Sequence, residues 1–516
     1  MEAKSIDVGL TTQILDSINA GKHDNVKPVE VSQVPEIDGN TILDMTQAPS
    51  LTMPTSDAEA RLNELVPGLK PDRFGTVRGD RIEFDAAALR AIGLRLYPLV
   101  SYGVLNGGSA TSYADTKKNS SFDETLFEIV KPDFERLAEM ASGRAKGITP
   151  AFLQPNGEPG PSFLELKMRS LLVEALRYYR LPTDERPADG PGAGPAPLFP
   201  MFQMTSVYND EEIAETYEQY RESPLLKELI GATGIDITQV ETGVQPMIAA
   251  LTHSELGRPK DIFQHAYGQP GETLPLPGGH GQNFQILRDV YKRLHDMGKR
   301  FVYLGNVDNL GFTVEPVSLA YLALTGKQAG FDFAFRTPVD VKGGVLVEDT
   351  DGHLNSADIG PAISKEEAFK AEEQGKRILF NCASGLFNLD YLVSELDRII
   401  DELPLRISDQ DKDAGRYSQA EQVTWEIIGM LDDFLVFGID KYDRFLAAKL
   451  LSETLMTSGV KLDDARYPTA DDPAQDLRGT AEKLHRGLKN KLEQVYAMEL
   501  QGGAWRPSSS SKIGRG

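Results

Sequence analysis

Short runs of consecutive apolar residues alternate along the middle of this chain with stretches whose apolar positions recur every three or four residues. PLVSYGVL, PLFPMFQMTS, FVYLGNV and RILFNCA have the character of buried strands, while FLELKMRSLLVEALRYY and NFQILRDVYKRLHDM carry amphipathic helical stripes. Their alternation predicts an α/β fold with a doubly wound, mostly parallel sheet. The first conspicuous buried strand runs from Leu99 to Leu105, and the α/β pattern occupies residues 96–400. Residues 1–95 are polar, punctuated by proline and only patchily helical, which predicts an N-terminal extension outside the core. Past the central part, YSQAEQVTWEIIGMLDDFLVF, RFLAAKLLSETLM and AEKLHRGLKNKLEQVYAMEL predict a mainly helical C-terminal region over residues 401–507, and SSSSKIGRG a disordered tail over 508–516. TDERPADGPGAGPAPLFP reads as a surface loop between a helix and a strand.

A chain of 516 residues, 40% hydrophobic and 25% charged, can bury a large core. Its 77 acidic and 54 basic residues give a net charge of -23, which opposes binding to nucleic acid or an anionic membrane. An anionic ligand must therefore be held by local lysines, backbone amides or a metal ion. The single cysteine, Cys382, precludes an intrachain disulfide and a cysteine-based zinc site. Acidic residues stand where a signal peptide would be basic, and no apolar run is long enough for a membrane span. These features predict a cytoplasmic protein; an oligomer stays open.

Four segments carry candidate chemistry. VLNGGSATSYAD runs from a buried strand into Asn106-Gly107-Gly108, and paired glycines at a strand end let backbone amides approach a base or phosphate. In GRAKGITPAF, Lys146 sits in a small-residue loop from which an ammonium reaches a polyphosphate. LPLPGGHGQNF surrounds His280 with Gly278, Gly279 and Gly281, permitting close approach to a sugar and a hydrogen bond from the imidazole to a phosphate or hydroxyl. RFVYLGNVDNLGF ends a strand in Asn306-Val307-Asp308-Asn309, where a carboxylate suits Mg²⁺ shared with substrate phosphates, or equally caps the next turn. Neither the P-loop pattern nor GxGxxG occurs, which disfavours ATPase and dehydrogenase readings.

In this order, the four segments resemble the UTP-glucose-1-phosphate uridylyltransferase (UDP-sugar pyrophosphorylase) family. LNGG is similar to its uridine-binding turn, AKGITPAF to its lysine-bearing loop, GGHGQ to its GHGD segment and NVDNLG to its NIDNLG. PVDVKGGVLVEDTDG resembles its DVKGGTL hairpin, ILFNCASGLFNL stands where the family has FNTNNLW, and RFLAAKLLSETLM resembles RFLPVKTTSDLLL. The similarity covers Leu99 to Met456. It implies a Rossmann-like nucleotidyltransferase fold in which Leu105, Asn106, Gly107 and Gly108 bind the nucleotide, the glycines cradling uridine. It further implies that Lys146 and Lys449 neutralise phosphates, that Gly279 contacts the nucleotide, and that His280 and Asn306 lie at the sugar phosphate. Asp308 is implied as the Mg²⁺ ligand, Asn381 as facing sugar hydroxyls, and Lys342 as a hairpin contact to the sugar phosphate or a support of the pocket wall. The family's uracil-contacting glutamine falls on Gln239 or Gln245, with Gln245 taken as the nucleotide-binding candidate.

There are departures from the family pattern. Ser109-Ala110-Thr111 replaces the usual LGT, and a long stretch separates LNGG from Lys146, so Lys117 and Lys118 are rivals for the phosphate role. FNCASG lacks two of the motif's asparagines, which leaves the sugar open, and the C-terminal part is too short for the left-handed β-helix of the eukaryotic members.

The implied reaction is attack by a hexose 1-phosphate, of glucose or galactose, on the α-phosphorus of UTP, giving a UDP-sugar and pyrophosphate. The nucleophile is already ionised at neutral pH, so the site must supply alignment and charge neutralisation and no general base. One alternative is uridylyl exchange from UDP-glucose to another hexose 1-phosphate without a covalent histidine, since no HPH motif is present. The other is a non-catalytic UDP-sugar-binding protein.

Overall fold

The structure, a computed structural model, describes residues 4–24, 29–111, 113–182, 186, 197–337, 340, 343–359, 363–472 and 475–514. Its centre is an eleven-stranded sheet. In chain order the strands are β1 (Val31–Gln33), β2 (Ile42–Asp44), β3 (Val100–Leu105), β4 (Met201–Ser206), β5 (Glu241–Gln245), β6 (Phe301–Asn306), β7 (Ala329–Phe335), β8 (Gly344–Asp349), β9 (Leu354–Asp358), β10 (Leu379–Asn388) and β11 (Phe434–Ile439). The main path is β2-β11-β7-β10-β6-β3-β4-β5, and the hairpin of β8 and β9 leaves it where Val345 pairs with Phe380. Only β10 runs antiparallel along this path, so the doubly wound, mostly parallel sheet expected from the sequence is present.

Burial explains the strands. Every residue of β3, β4 and β11 is buried, which requires apolar side chains on both faces and produces unbroken runs such as VSYGVL and FLVFGI. Helices α1 (Ala86–Arg95), α2 (Thr116–Ser120), α3 (Glu124–Ala141), α4 (Phe163–Tyr179), α5 (Arg288–Asp296), α6 (Pro316–Thr325), α7 (Leu451–Thr457) and α8 (Leu477–Gln494) surround the site and sheet. α4 starts at Ser162, whose hydroxyl accepts from Glu165 N, and is buried nearly all round, including Lys167 and Arg169.

The ends of the chain depart from the sequence reading. β1 and β2, from the segment expected to lie outside the core, join the sheet, and Leu51–Pro54, Thr76–Arg78 and Arg81–Phe84 form a small sheet of their own. The stretch YSQAEQVTWEIIGMLDDFLVF, expected to be helical, contains the second strand of a hairpin, Leu405–Lys412 with Gly415–Gln422, then a 3₁₀ segment and β11. An apolar run of six residues fits a buried strand as well as a helix, and the sheet decides between them. Within RFLAAKLLSETLM only Arg444, the end of a four-residue helix, and Leu451–Thr457 are helical; residues 445–450 between them are irregular. The tail expected to be disordered packs through Ile513, which is buried, and through Ser510 N, which donates to Glu228.

Candidate active site

Consecutive strands β3, β4 and β5 advance in one direction across the sheet, whereas β6 returns to the other side of β3. The gap between β3 and β6 is therefore the topological switch point, where open α/β sheets bind ligands beyond their carboxyl ends. Leu105 is in register with Asn306, so LNGG and NVDN leave the sheet side by side at this crevice. Antiparallel β10 places Ser384 opposite Gly305, bringing Asn381 to the same edge. Its path is broken by a bulge between Phe331 and Phe333 of β7, where Ala383 has φ +51° and its N–H donates to Asn381 Oδ1 at 2.8 Å.

Lys146 reaches Asp308 across the crevice. Its Nζ lies 2.6 Å from Asp308 Oδ2, donates also to the Ala448 carbonyl, and stands 4.7 Å from the centroid of the Tyr113 ring. Lys449 follows directly; it is exposed, and its ammonium has no ion-pair partner among the described residues. The structure thus brings Lys146, Asp308 and the Lys449 segment together. Lys117 and Lys118 are exposed on α2.

The NVDNLG turn is built by what lies beneath it. Asn309 is buried and donates through Nδ2 to the Arg444 carbonyl at 3.1 Å, while its Oδ1 accepts from Gly311 N. A Cβ at Gly311 would fall 2.2 Å from the Arg444 carbonyl, so only glycine fits. Lys167, fully buried on α4, donates to the carbonyls of Asn309 and Phe312, and burial holds its ammonium well below the usual lysine range. Arg444 pairs with Asp332 at 3.0 Å, and Ser384 Oγ donates to the same carboxylate at 3.3 Å. These supports went unnoticed in the sequence. Lys167, the one lysine of α4, looks like a surface residue until its burial is known.

The LNGG side of the crevice is similarly knitted. Asn106 is buried and donates to Gln203 Oε1 at 3.2 Å; its Oδ1 faces Gly147, where a Cβ would come within 2.3 Å. Its side chain therefore joins the LNGG turn to the Lys146 loop. Gln245 donates to the Gly279 carbonyl at 2.7 Å and to Gln282 Oε1 at 2.8 Å, and its Oε1 lies 3.5 Å from a Cβ built on Gly107. Gln239 is exposed and donates to Asp236, so Gln245 is the glutamine at the site. Gly108 has open space around it.

Gly279 and Gly281 lie against the backbone of Gln422, so the GGHG segment is pressed onto the 405–422 hairpin. His280 Nδ1 accepts from Thr424 N at 3.1 Å and lies 2.8 Å from Thr424 Oγ1, and burial pushes the imidazole down to about 4, which keeps it neutral. Nε2 has no partner among the described residues and is open to a ligand. Asn306 is half-buried at the mouth of the crevice. Lys342, the hairpin lysine, lies outside the described residues.

The sequence model of the UTP-glucose-1-phosphate uridylyltransferase family matches residues 199–465. That span contains Gln245, Gly279, His280, Asn306, Asp308, Asn381 and Lys449, and leaves LNGG and Lys146 outside it. The chain is 26% identical over 192 residues to the UTP-glucose-1-phosphate uridylyltransferase of Hordeum vulgare, covering 37% of this chain and 40% of that protein. It is 29% identical over 196 residues to that of Solanum tuberosum, covering 37% and 39%. The alignments thus span about two fifths of these relatives. Among solved structures, the uridine diphosphate N-acetylglucosamine pyrophosphorylase of Trypanosoma brucei superposes with a TM-score of 0.50 at 17% identity, over 78% of this chain and 70% of that one, a likeness of fold. With the family's model matched over more than half of its length, the chain belongs to the UTP-glucose-1-phosphate uridylyltransferase family.

Proposed function

We propose that this protein transfers the uridylyl group of UTP to a hexose 1-phosphate, of glucose or galactose, releasing pyrophosphate. The observation that carries the reading is the meeting of Lys146, Asp308 and the Lys449 segment at the β3/β6 switch point. Lys146 and the segment bearing Lys449 come from separate loops to one crevice, and two lysines there would meet the demand of a reaction between two polyanions. LNGG, with Gln245 behind it, offers backbone amides and small residues to the uracil and ribose. The Nε2–H of neutral His280 donates to the sugar phosphate without adding charge, and Asn306 and Asn381 offer polar groups to the sugar.

Asp308 fits a Mg²⁺ site shared with substrate phosphates. Its Oδ1 has no protein partner among the described residues, and no cluster of three acidic, histidine or cysteine side chains there forms an all-protein cage. Such an ion would supply charge neutralisation on the triphosphate. Lys146, lying against Asp308, aligns the α-phosphate region, and Lys449 meets the departing or attacking phosphate from the opposite loop. We place the reaction in the cytoplasm, a reading supported by the single, buried Cys382.

The purified protein, incubated with Mg²⁺, UTP and glucose, galactose, N-acetylglucosamine or N-acetylgalactosamine 1-phosphate, is expected to release pyrophosphate with a hexose 1-phosphate and to form the matching UDP-sugar. Transfer from UDP-glucose without pyrophosphate would instead make it an exchange enzyme. Binding of UDP-glucose with no turnover in any pairing would make it a binding protein.

A further inference from the structure

The stretch separating LNGG from Lys146 leaves and returns at one place. Ser109 pairs with Ala145, Ala110 N donates to the Arg144 carbonyl at 2.9 Å, and Lys146 N donates to the Gly108 carbonyl at 3.2 Å. Between these ends, α3 packs with α7 in a separate apolar cluster that includes Tyr113, Phe134, Leu451 and Leu455, and α2 lies against α3.

Three bonds tie this excursion to the start of α7, just after Lys449. Leu451 N donates to the Tyr113 carbonyl at 3.0 Å. Ser452 N donates to Asn119 Oδ1 at 2.8 Å, while Asn119 Nδ2 donates back to the Tyr113 carbonyl at 2.9 Å. The Tyr113 hydroxyl shares a hydrogen bond with Thr454 Oγ1 at 2.7 Å. Meanwhile the face of the Tyr113 ring lies 4.7 Å from Lys146 Nζ, which also reaches the Ala448 carbonyl. One tyrosine thus touches the ammonium of one phosphate-facing lysine and anchors the segment bearing the other.

We infer that Tyr113 is a positioning residue, whose ring face and anchors hold Lys146 and the Lys449 segment at a fixed separation across the phosphate-binding crevice. This rests on the proposed roles of the two lysines. A ring face and a carbonyl orient an ammonium without cancelling its charge, whereas a second carboxylate would neutralise it. The excursion lies outside the span matched by the family model, in the long stretch by which this chain departs from the family pattern.

The test varies the electron density of the ring while keeping its shape. Tyr113 is replaced in the full chain by Phe, then by mono-, di- and trifluorophenylalanine, and the Kd of UTP with Mg²⁺ is measured by calorimetry without sugar phosphate. Tyr113→Phe is expected to stay within about threefold of wild type, and the fluorine series to weaken UTP binding stepwise to about tenfold at unchanged Tm. In a Lys146→Met background the series should be flat. No dependence on fluorine in the Lys146 chain, or an equal slope in Lys146→Met, overturns the inference. If Lys146→Met alone binds UTP as tightly as wild type, the role of Lys146 itself fails, and the inference with it. A Lys146→Met loss with a flat series removes only Tyr113.

Discussion

His280 shows how burial turns a titratable side chain into a fixed donor. Thr424 N–H occupies its Nδ1, and burial lowers its value from 6.5 to about 4. Between these values the unfolded chain takes up more protons than the folded one, so the contribution of His280 to stability is full above pH 6.5 and is lost as pH falls toward 4. The loss is on the order of 2–3 kcal/mol. His280→Asn keeps an acceptor for Thr424 N and removes the titration; chemical denaturation at pH 4.5 and 7.5 should show a smaller difference in stability than wild type. An equal pH dependence in both chains would assign the acid sensitivity to other groups. At Asp308, substitution by Asn removes the charge facing Lys146, and kcat of uridylyl transfer is expected to fall by about 100-fold or more. Retained turnover in that variant would remove the carboxylate from the proposed chemistry. Lys146 and Asp308 were legible in the sequence because they sit in short motifs, one in a small-residue loop and the other at a strand end. Lys167 and Arg444 were not, because their part depends on burial and on carbonyls contributed by distant turns.

At the scale of elements, glycines separate contacts that build the fold from contacts reserved for ligand. Gly311 must lack a side chain because the Arg444 backbone lies against it, and Gly311→Ala is expected to lower stability by about 2–4 kcal/mol through overpacking, with a matching drop in Tm. Gly108 faces open space, so Gly108→Ala should leave Tm unchanged while raising the KM for UTP by about tenfold or more if the turn cradles the nucleotide. A Gly108→Ala protein with ordinary KM would place uridine elsewhere. The same distinction explains what was legible. PLVSYGVL and FVYLGNV announce strands because each is followed by a turn signal, as are Gly107-Gly108 and Asp308-Asn309. FLVFGI has equal apolar character but follows LDD after a 3₁₀ segment, and no local feature identifies it as a partner of β7 and β2. FLAAK likewise has helix-forming residues, yet it is irregular, its Leu446 carbonyl accepting from Leu310 N.

Across the whole molecule, the parts distinguished in the sequence share one core. Leu62 and Phe84 from the N-terminal part, Tyr102 and Tyr303 from the sheet, and Tyr496, Trp505 and Ile513 from the C-terminal part belong to a single apolar cluster. The site is therefore embedded in a large acidic body, and the net charge of -23 gives its ligand binding a distinctive salt dependence. At about 10 mM ionic strength the Debye length is about 30 Å, so an approaching UTP feels repulsion from much of the surface. At about 150 mM it shrinks to about 8 Å, which screens the distant carboxylates while leaving contacts made inside the crevice largely intact. Lys146 does not offset the repulsion at long range, since Asp308 stands beside it. The kcat/KM for UTP, measured at subsaturating UTP and constant free Mg²⁺, should therefore rise about two- to fivefold between these ionic strengths. A steady fall with salt would mean that a positive field at the crevice outweighs the surface, and that anion capture is governed by more basic groups than Lys146 and Lys449.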